Sequence, residues 1–165
     1  MRIELSALIT ATMVLASCGG TAPATPAAPP PFTSDDPAVT AILDSMVSLA
    51  RAGADAVDAD QTMSPLNAED NLTFMTGDVL IAGKQEILKA FRDTYAKIKA
   101  QRHVPVARQV RLITPDVAVY SAVGRGTFQE LSGEISEPVG LGTTAIFVKR
   151  DGGWHLAHFH QSVVR

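Results

Sequence analysis

The sequence predicts an α+β domain in which helices are segregated on one face of a curved antiparallel sheet, and three observations carry that reading. Apolar residues recur at helical spacing only in the first part of the folded region, up to Lys99. From His103 onward they alternate instead, in runs rich in Val, Ile and Thr that are broken by Pro-Asp, Ser-Gly and Asp-Gly. The 165 residues fit one domain rather than several, and no segment repeats another.

The chain ahead of this domain has a different composition. Leu5 to Ala16 is interrupted only by Ser6, Thr10 and Thr12, too short a run to span a bilayer but suited to the apolar centre of an export signal. Leu15-Ala16-Ser17-Cys18 resembles the bacterial lipobox, with small residues before the thiol that takes diacylglycerol. Cys18 is the only cysteine, so it has no disulfide partner. Residues 1–17 are therefore expected to be a lipoprotein signal peptide, and Cys18 to carry the lipid that anchors the chain to a membrane. Gly19 is not an inner-membrane retention aspartate, which places the expected location in the cell envelope, on the periplasmic side of the outer membrane.

Residues 18–34 form the lipidated cysteine and its tether. Gly19 to Pro31 reads GGTAPATPAAPPP, with five prolines and no charge, a composition that favours extended chain over a packed core. At about 3 Å per residue the tether reaches roughly 50 Å. The formal charge of −3 argues against a nucleic-acid partner.

The domain, residues 35–165, opens on a helix signal. Asp36 can cap free amides while Pro37 occupies the first turn, where its missing donor is harmless. Val39, Ile42, Leu43, Met46, Val47 and Ala50 then fall on one stripe, and Gly53 follows. A short second helix is expected from Asp55 to about Thr62, stopped by Pro65. Asn71 to Thr76 and Val79 to Ala82 read as a hairpin about Gly77-Asp78. Lys84 to Lys99 is helical again, with Ile87, Leu88, Phe91, Tyr95 and Ile98 as its buried stripe. Strands are expected over His103 to Ile113, Val117 to Gln129, Gly140 to Arg150 and Gly153 to Val163, with turns at Pro115-Asp116, Leu131-Ser132-Gly133-Glu134 and Asp151-Gly152.

Three stretches occur together in a known order. Arg150 to Ser162, RDGGWHLAHFHQS, resembles the closing hairpin of SnoaL-like, nuclear transport factor 2-like (NTF2-like) domains, the association domain of calmodulin-dependent kinase II among them. Gly83-Lys84-Gln85-Glu86-Ile87 and Ala68-Glu69-Asp70 are similar to two further stretches of such domains. The resemblance covers about residues 37–164 and implies a cone, a bent sheet wrapped around helices with a pocket at its open end. It implies no single activity, because the family holds isomerases, dehydratases, cyclases, carriers and oligomerisation modules.

On the last strand strict alternation puts Trp154, Leu156, His158, His160 and Ser162 on one face and His155, Ala157, Phe159 and Gln161 on the other. Arginines that line the kinase hub's pocket match Ala145 and Gln161, so the resemblance turns the Phe159 and Gln161 face inward and removes the hub's anion-binding groups. Tyr95, Phe147, Phe159 and Gln161 are the expected ligand-pocket residues. His158 and His160 share a face and could chelate a metal with His103 or Asp70. A hydrogen-bonded histidine pair is the simpler reading, and no metal or other cofactor is expected. Asp70, Tyr95, His158 and His160 are the candidate catalytic groups, since a ketosteroid-isomerase-like site needs a base and an oxyanion partner.

The leading expectation is a non-catalytic, envelope-anchored homodimer that binds a small apolar or amphipathic ligand, or a protein partner. The alternative is a cofactor-independent lyase or isomerase that works by general acid–base chemistry.

Overall fold

The computed structural model describes residues 36–164. The expected signal peptide, Cys18 and the expected tether lie outside the described residues. Helix α1 (Pro37–Asp55) begins as its sequence dictates: Asp36 Oδ1 accepts from the amides of Ala38 and Val39 at 2.9 and 3.2 Å, with Pro37 in the first turn. Leu43, Met46, Ala50 and Gly53 form its buried stripe. Ile42 was expected on that stripe but is 48% exposed, because it sits one helical step outside the line through Leu43 and Met46.

Helix α1 takes Asp55 as its last residue, so the second helix starts later than expected. Val57 turns the chain with φ at 58°, Asp58 caps the amide of Gln61 at 2.9 Å, and helix α2 (Ala59–Met63) passes into a 3₁₀ turn at Ser64–Leu66. Strands β1 (Thr73–Thr76) and β2 (Val79–Ala82) make the expected hairpin. Helix α3 (Lys84–Tyr95) buries Ile87, Leu88 and Tyr95, and it stops four residues before Lys99. Ile98 has the spacing of the helical stripe, yet it opens strand β3 (Ile98–Thr114) opposite Glu130 of strand β4 (Val117–Glu130). Pairing with a long neighbouring strand overrides local helical periodicity there. Strands β5 (Val139–Arg150) and β6 (Gly153–Val164) complete the set.

The strands lie in the order β2-β1-β6-β5-β4-β3. All neighbours are antiparallel except β1 and β6, which run parallel, so the sheet is mixed where a fully antiparallel one was expected. The parallel pair joins the early hairpin to the last strand and brings Phe74 opposite Phe159. Phe147, Leu43, Leu72, Ile87 and Leu156 are fully buried between the sheet and the helices. Each such side chain contributes about 2 kcal/mol by leaving water.

One irregularity decides which way the last strand faces. Phe147 of β5 lies opposite Leu156, but Ile146 lies opposite His158, so Ala157 is an extra residue and β6 carries a bulge. Strict alternation is thereby broken. Trp154 and Leu156 share the helix-side face with Phe159 and Gln161, while His158, His160 and Ser162 turn to the outer face. This corrects the expected grouping of Trp154 and Leu156 with the histidines, and it keeps the expected inward direction of Phe159 and Gln161.

Candidate active site

Strand β3 sends Gln101 and His103 to the helix-side face, where their partners across the ladder are Phe128 and Gly126. Facing them is the C-terminal end of α1. Asp55 Oδ1 lies 2.6 Å from His103 Nδ1 and also accepts the His103 backbone amide at 2.9 Å. A carboxylate can only accept, so a ring proton sits on Nδ1, and in the neutral form of the imidazole the lone pair is on Nε2. Both groups are shielded yet reachable, with side chains 17% exposed for His103 and 33% for Asp55. Phe128 meets the imidazole edge-on, with ring centroids 6.3 Å apart.

A polar set surrounds the pair. The Gln101 amide donates to the Ala54 carbonyl, one residue before Asp55. Thr62 gives its hydroxyl proton to the Asp58 carbonyl at 2.7 Å, so its oxygen accepts from Tyr95 at 3.3 Å. Burial raises the Tyr95 pKa above the usual phenol range. A histidine held by a carboxylate in this way is suited to removing a proton: Nε2 takes it, and Asp55 stabilises the imidazolium that forms.

The residues expected from the sequence are distributed around this pair rather than gathered at it. Tyr95 belongs to its polar surroundings. Phe159 lies on the helix-side face, stacked on Phe74 at 4.1 Å and on Phe91 at 6.1 Å, and Gln161 shares that face opposite Thr143. Phe147 has no accessible surface at all and so belongs to the core instead of a pocket wall. Asp70 is exposed in the turn before β1, where its carbonyl accepts the Lys84 amide at 3.1 Å. His158 is committed through Nδ1 to Thr73 Oγ1 at 2.7 Å. His160 lines an open concavity of about 500 Å³ on the outer face with Thr144 and Ser162. His103 is on the opposite face from His158 and His160, so the three cannot converge on one metal.

The sequence does not single out Asp55 or Gln101, and it offers His103 as a third metal ligand and as part of a locally basic strand edge. The available signal was the two-residue spacing of Gln101 and His103, which puts both on one strand face. The helical spacing that runs to Lys99 masks it, because it places the start of the strand at His103.

Similarity to solved structures extends over most of the domain. A nuclear transport factor 2 (NTF2-like) superfamily protein from Salmonella enterica superposes with a TM-score of 0.67 at 13% identity, over 78% of this chain and 94% of that one. A type 2 hexachlorocyclohexane dehydrochlorinase gives 0.68 at 15% identity, over 76% and 85%. A ketosteroid isomerase-like protein from Erwinia carotovora atroseptica gives 0.64 at 16% identity, over 76% and 95%. Comparison with curated proteins gave no match. These likenesses establish the NTF2-like cone. Residues 39–165 match the family model described as SnoaL-like domain, and the chain belongs to that family.

Proposed function

We propose that the domain is a cofactor-independent acid–base enzyme of the lyase or isomerase class, with His103 as general base and Asp55 as the group that orients and stabilises it. The observation that carries this reading is the 2.6 Å contact between His103 Nδ1 and Asp55 Oδ1, which leaves Nε2 as the proton acceptor. The fold is shared with a dehydrochlorinase and a ketosteroid isomerase-like protein, whose names denote loss or movement of a proton on carbon. The stacked rings of Phe74, Phe91 and Phe159, with Phe91 also tilted against Tyr95 at 5.7 Å, put an apolar cluster on the helix side of the sheet, which suits a neutral carbon acid better than a charged one.

The test is to supply hexachlorocyclohexane and a 3-oxo-5-ene steroid to the purified protein, reading chloride release and double-bond migration. Turnover that drops by about two orders of magnitude or more in both His103→Ala and Asp55→Asn is the expected result. Turnover that survives His103→Ala removes the proposal.

The non-catalytic reading keeps one specific support, the open concavity on the outer sheet face lined by Thr144, His160 and Ser162, which can seat a ligand away from the dyad. A ligand that co-purifies and is lost on His160→Ala, in a protein without turnover, favours it. The homodimer rests on the same face, where Val104 and Val123 are 47% and 52% exposed. Dissociation of the assembly in Val123→Glu, followed by sedimentation, is the expected outcome, and a monomeric parent protein overturns it.

The envelope location rests on Leu15-Ala16-Ser17-Cys18, and no helix among the described residues is long and apolar enough to cross a membrane. Lipid on Cys18 would then be the anchor. Metabolic labelling with a fatty acid tests it: label should disappear in Cys18→Ala, and a parent chain that takes up no label refutes the anchor.

A further inference from the structure

The turn that delivers Asp55 to His103 is not relaxed by its own sequence. Val57, two residues on, is a β-branched residue in the left-handed region, with φ at 58°, a conformation that such side chains avoid. A backbone of this kind persists only where surrounding contacts over-determine it. Here those contacts converge on the Ala54 carbonyl. It accepts the Val57 amide at 2.9 Å and the Gln101 side-chain amide from across the cone. On the other side, Gly53 lies so near α2 that a Cβ would fall 2.4 Å from the Gln61 carbonyl carbon, which fixes the distance between the two helices.

Strand β3 thus grips consecutive residues of α1 with alternate side chains: Gln101 holds Ala54, and His103 holds Asp55. Of the two contacts, only the second contains the group that moves a proton. We infer that Gln101 is a positioning residue, which fixes the Asp55 carboxylate on His103 Nδ1 by holding the carbonyl of Ala54. The inference rests on the dyad proposed above, and it adds a residue that acts through the Ala54 carbonyl and makes no hydrogen bond to the imidazole. Without the Gln101 amide, the strained end of α1 is free to relax about Val57, and the carboxylate leaves the ring while the rest of the helix stays packed through Leu43, Met46 and Ala50.

The readout is the imidazole Nδ1–H proton of His103, observed by nuclear magnetic resonance in the ¹⁵N-labelled full-length protein and assigned by its disappearance in His103→Gln. Hydrogen-bonded to a carboxylate, this proton resonates far downfield and exchanges slowly with water. It should be present in the parent protein, absent in Asp55→Ala, and absent or broadened by exchange in Gln101→Met, whose melting temperature stays within a few degrees of the parent. A sharp, unshifted signal in Gln101→Met overturns the positioning role and leaves the dyad standing. Absence of the signal in the parent protein sinks the dyad and this inference with it. Should Gln101→Met fail to fold, Gln101→Glu carries the same test, because its carboxylate cannot donate to the Ala54 carbonyl.

Discussion

His103 and Asp55 are joined twice through a single oxygen: Asp55 Oδ1 accepts the backbone amide of His103 at 2.9 Å and its ring Nδ1 at 2.6 Å. The backbone bond is a second hold on the carboxylate beside that of Gln101 on Ala54, and the ring bond fixes which imidazole nitrogen carries the proton. Asp55→Asn retains an oxygen of nearly the same shape but loses the charge that stabilises imidazolium. It is expected to fold with a melting temperature close to the parent, and to lose about 100-fold or more in turnover of any substrate the parent accepts. Steady-state kinetics beside a thermal melt check both halves, and a variant with full turnover contradicts the role given to Asp55.

Gly53 is required by space instead of by backbone angle. A methyl group there would meet the backbone of Gln61 and Thr62 at 2.4 Å, and neither can withdraw without shifting α2. Gly53→Ala is expected to destabilise the domain by about 1–3 kcal/mol, the range for overpacking. Urea unfolding measures it, and an unchanged midpoint would mean that α2 does not lie against α1 in solution.

The bulge at Ala157 predicts unequal costs for two residues that share a face. Phe159 stacks on Phe74 at 4.1 Å, and Phe74 is itself buried, so Phe159→Ala should cost about 3 kcal/mol. Gln161 makes no side-chain hydrogen bond among the described residues, and Gln161→Ala should change stability by less than about 0.5 kcal/mol. Equal costs in chemical unfolding would contradict the packing described for the last strand.

Alkaline pH should weaken the fold through its two tyrosines. Burial raises both Tyr95 and Tyr120 above the ordinary phenol value of about 10. The folded chain therefore keeps protons that the unfolded chain releases, and stability is full below about pH 10 and falls as pH climbs through the raised folded values. The slope is at most about 1.4 kcal/mol per pH unit for each tyrosine. Unfolding midpoints between pH 8 and pH 11 should fall more gently in Tyr95→Phe than in the parent, and parallel curves would argue that Tyr95 ionises alike in both states.

Much of this architecture is decided locally. Asp36 and Pro37 place the start of α1, Gly77-Asp78 turns the first hairpin, and Asp151-Gly152 turns the last one, because caps and turns depend on a few adjacent residues and their backbone preferences. The helical stripes and alternating runs likewise give the α+β class, and the lipobox-like Leu15-Ala16-Ser17-Cys18 gives an expected address from chemistry within four residues. Three features depended on tertiary structure. The end of α3 at Tyr95 was set by the pairing of Ile98 with Glu130, and the grouping of Trp154 and Leu156 with Phe159 by one unpaired residue at Ala157. The candidate site arose from the meeting of Asp55 with His103, 48 positions apart in the chain. Periodicity reports which face of an element is apolar, but it carries no term for a bulge that reverses a face, which regrouped Trp154 and Leu156 with Phe159, or for a helix end carried against a distant strand, which made the site.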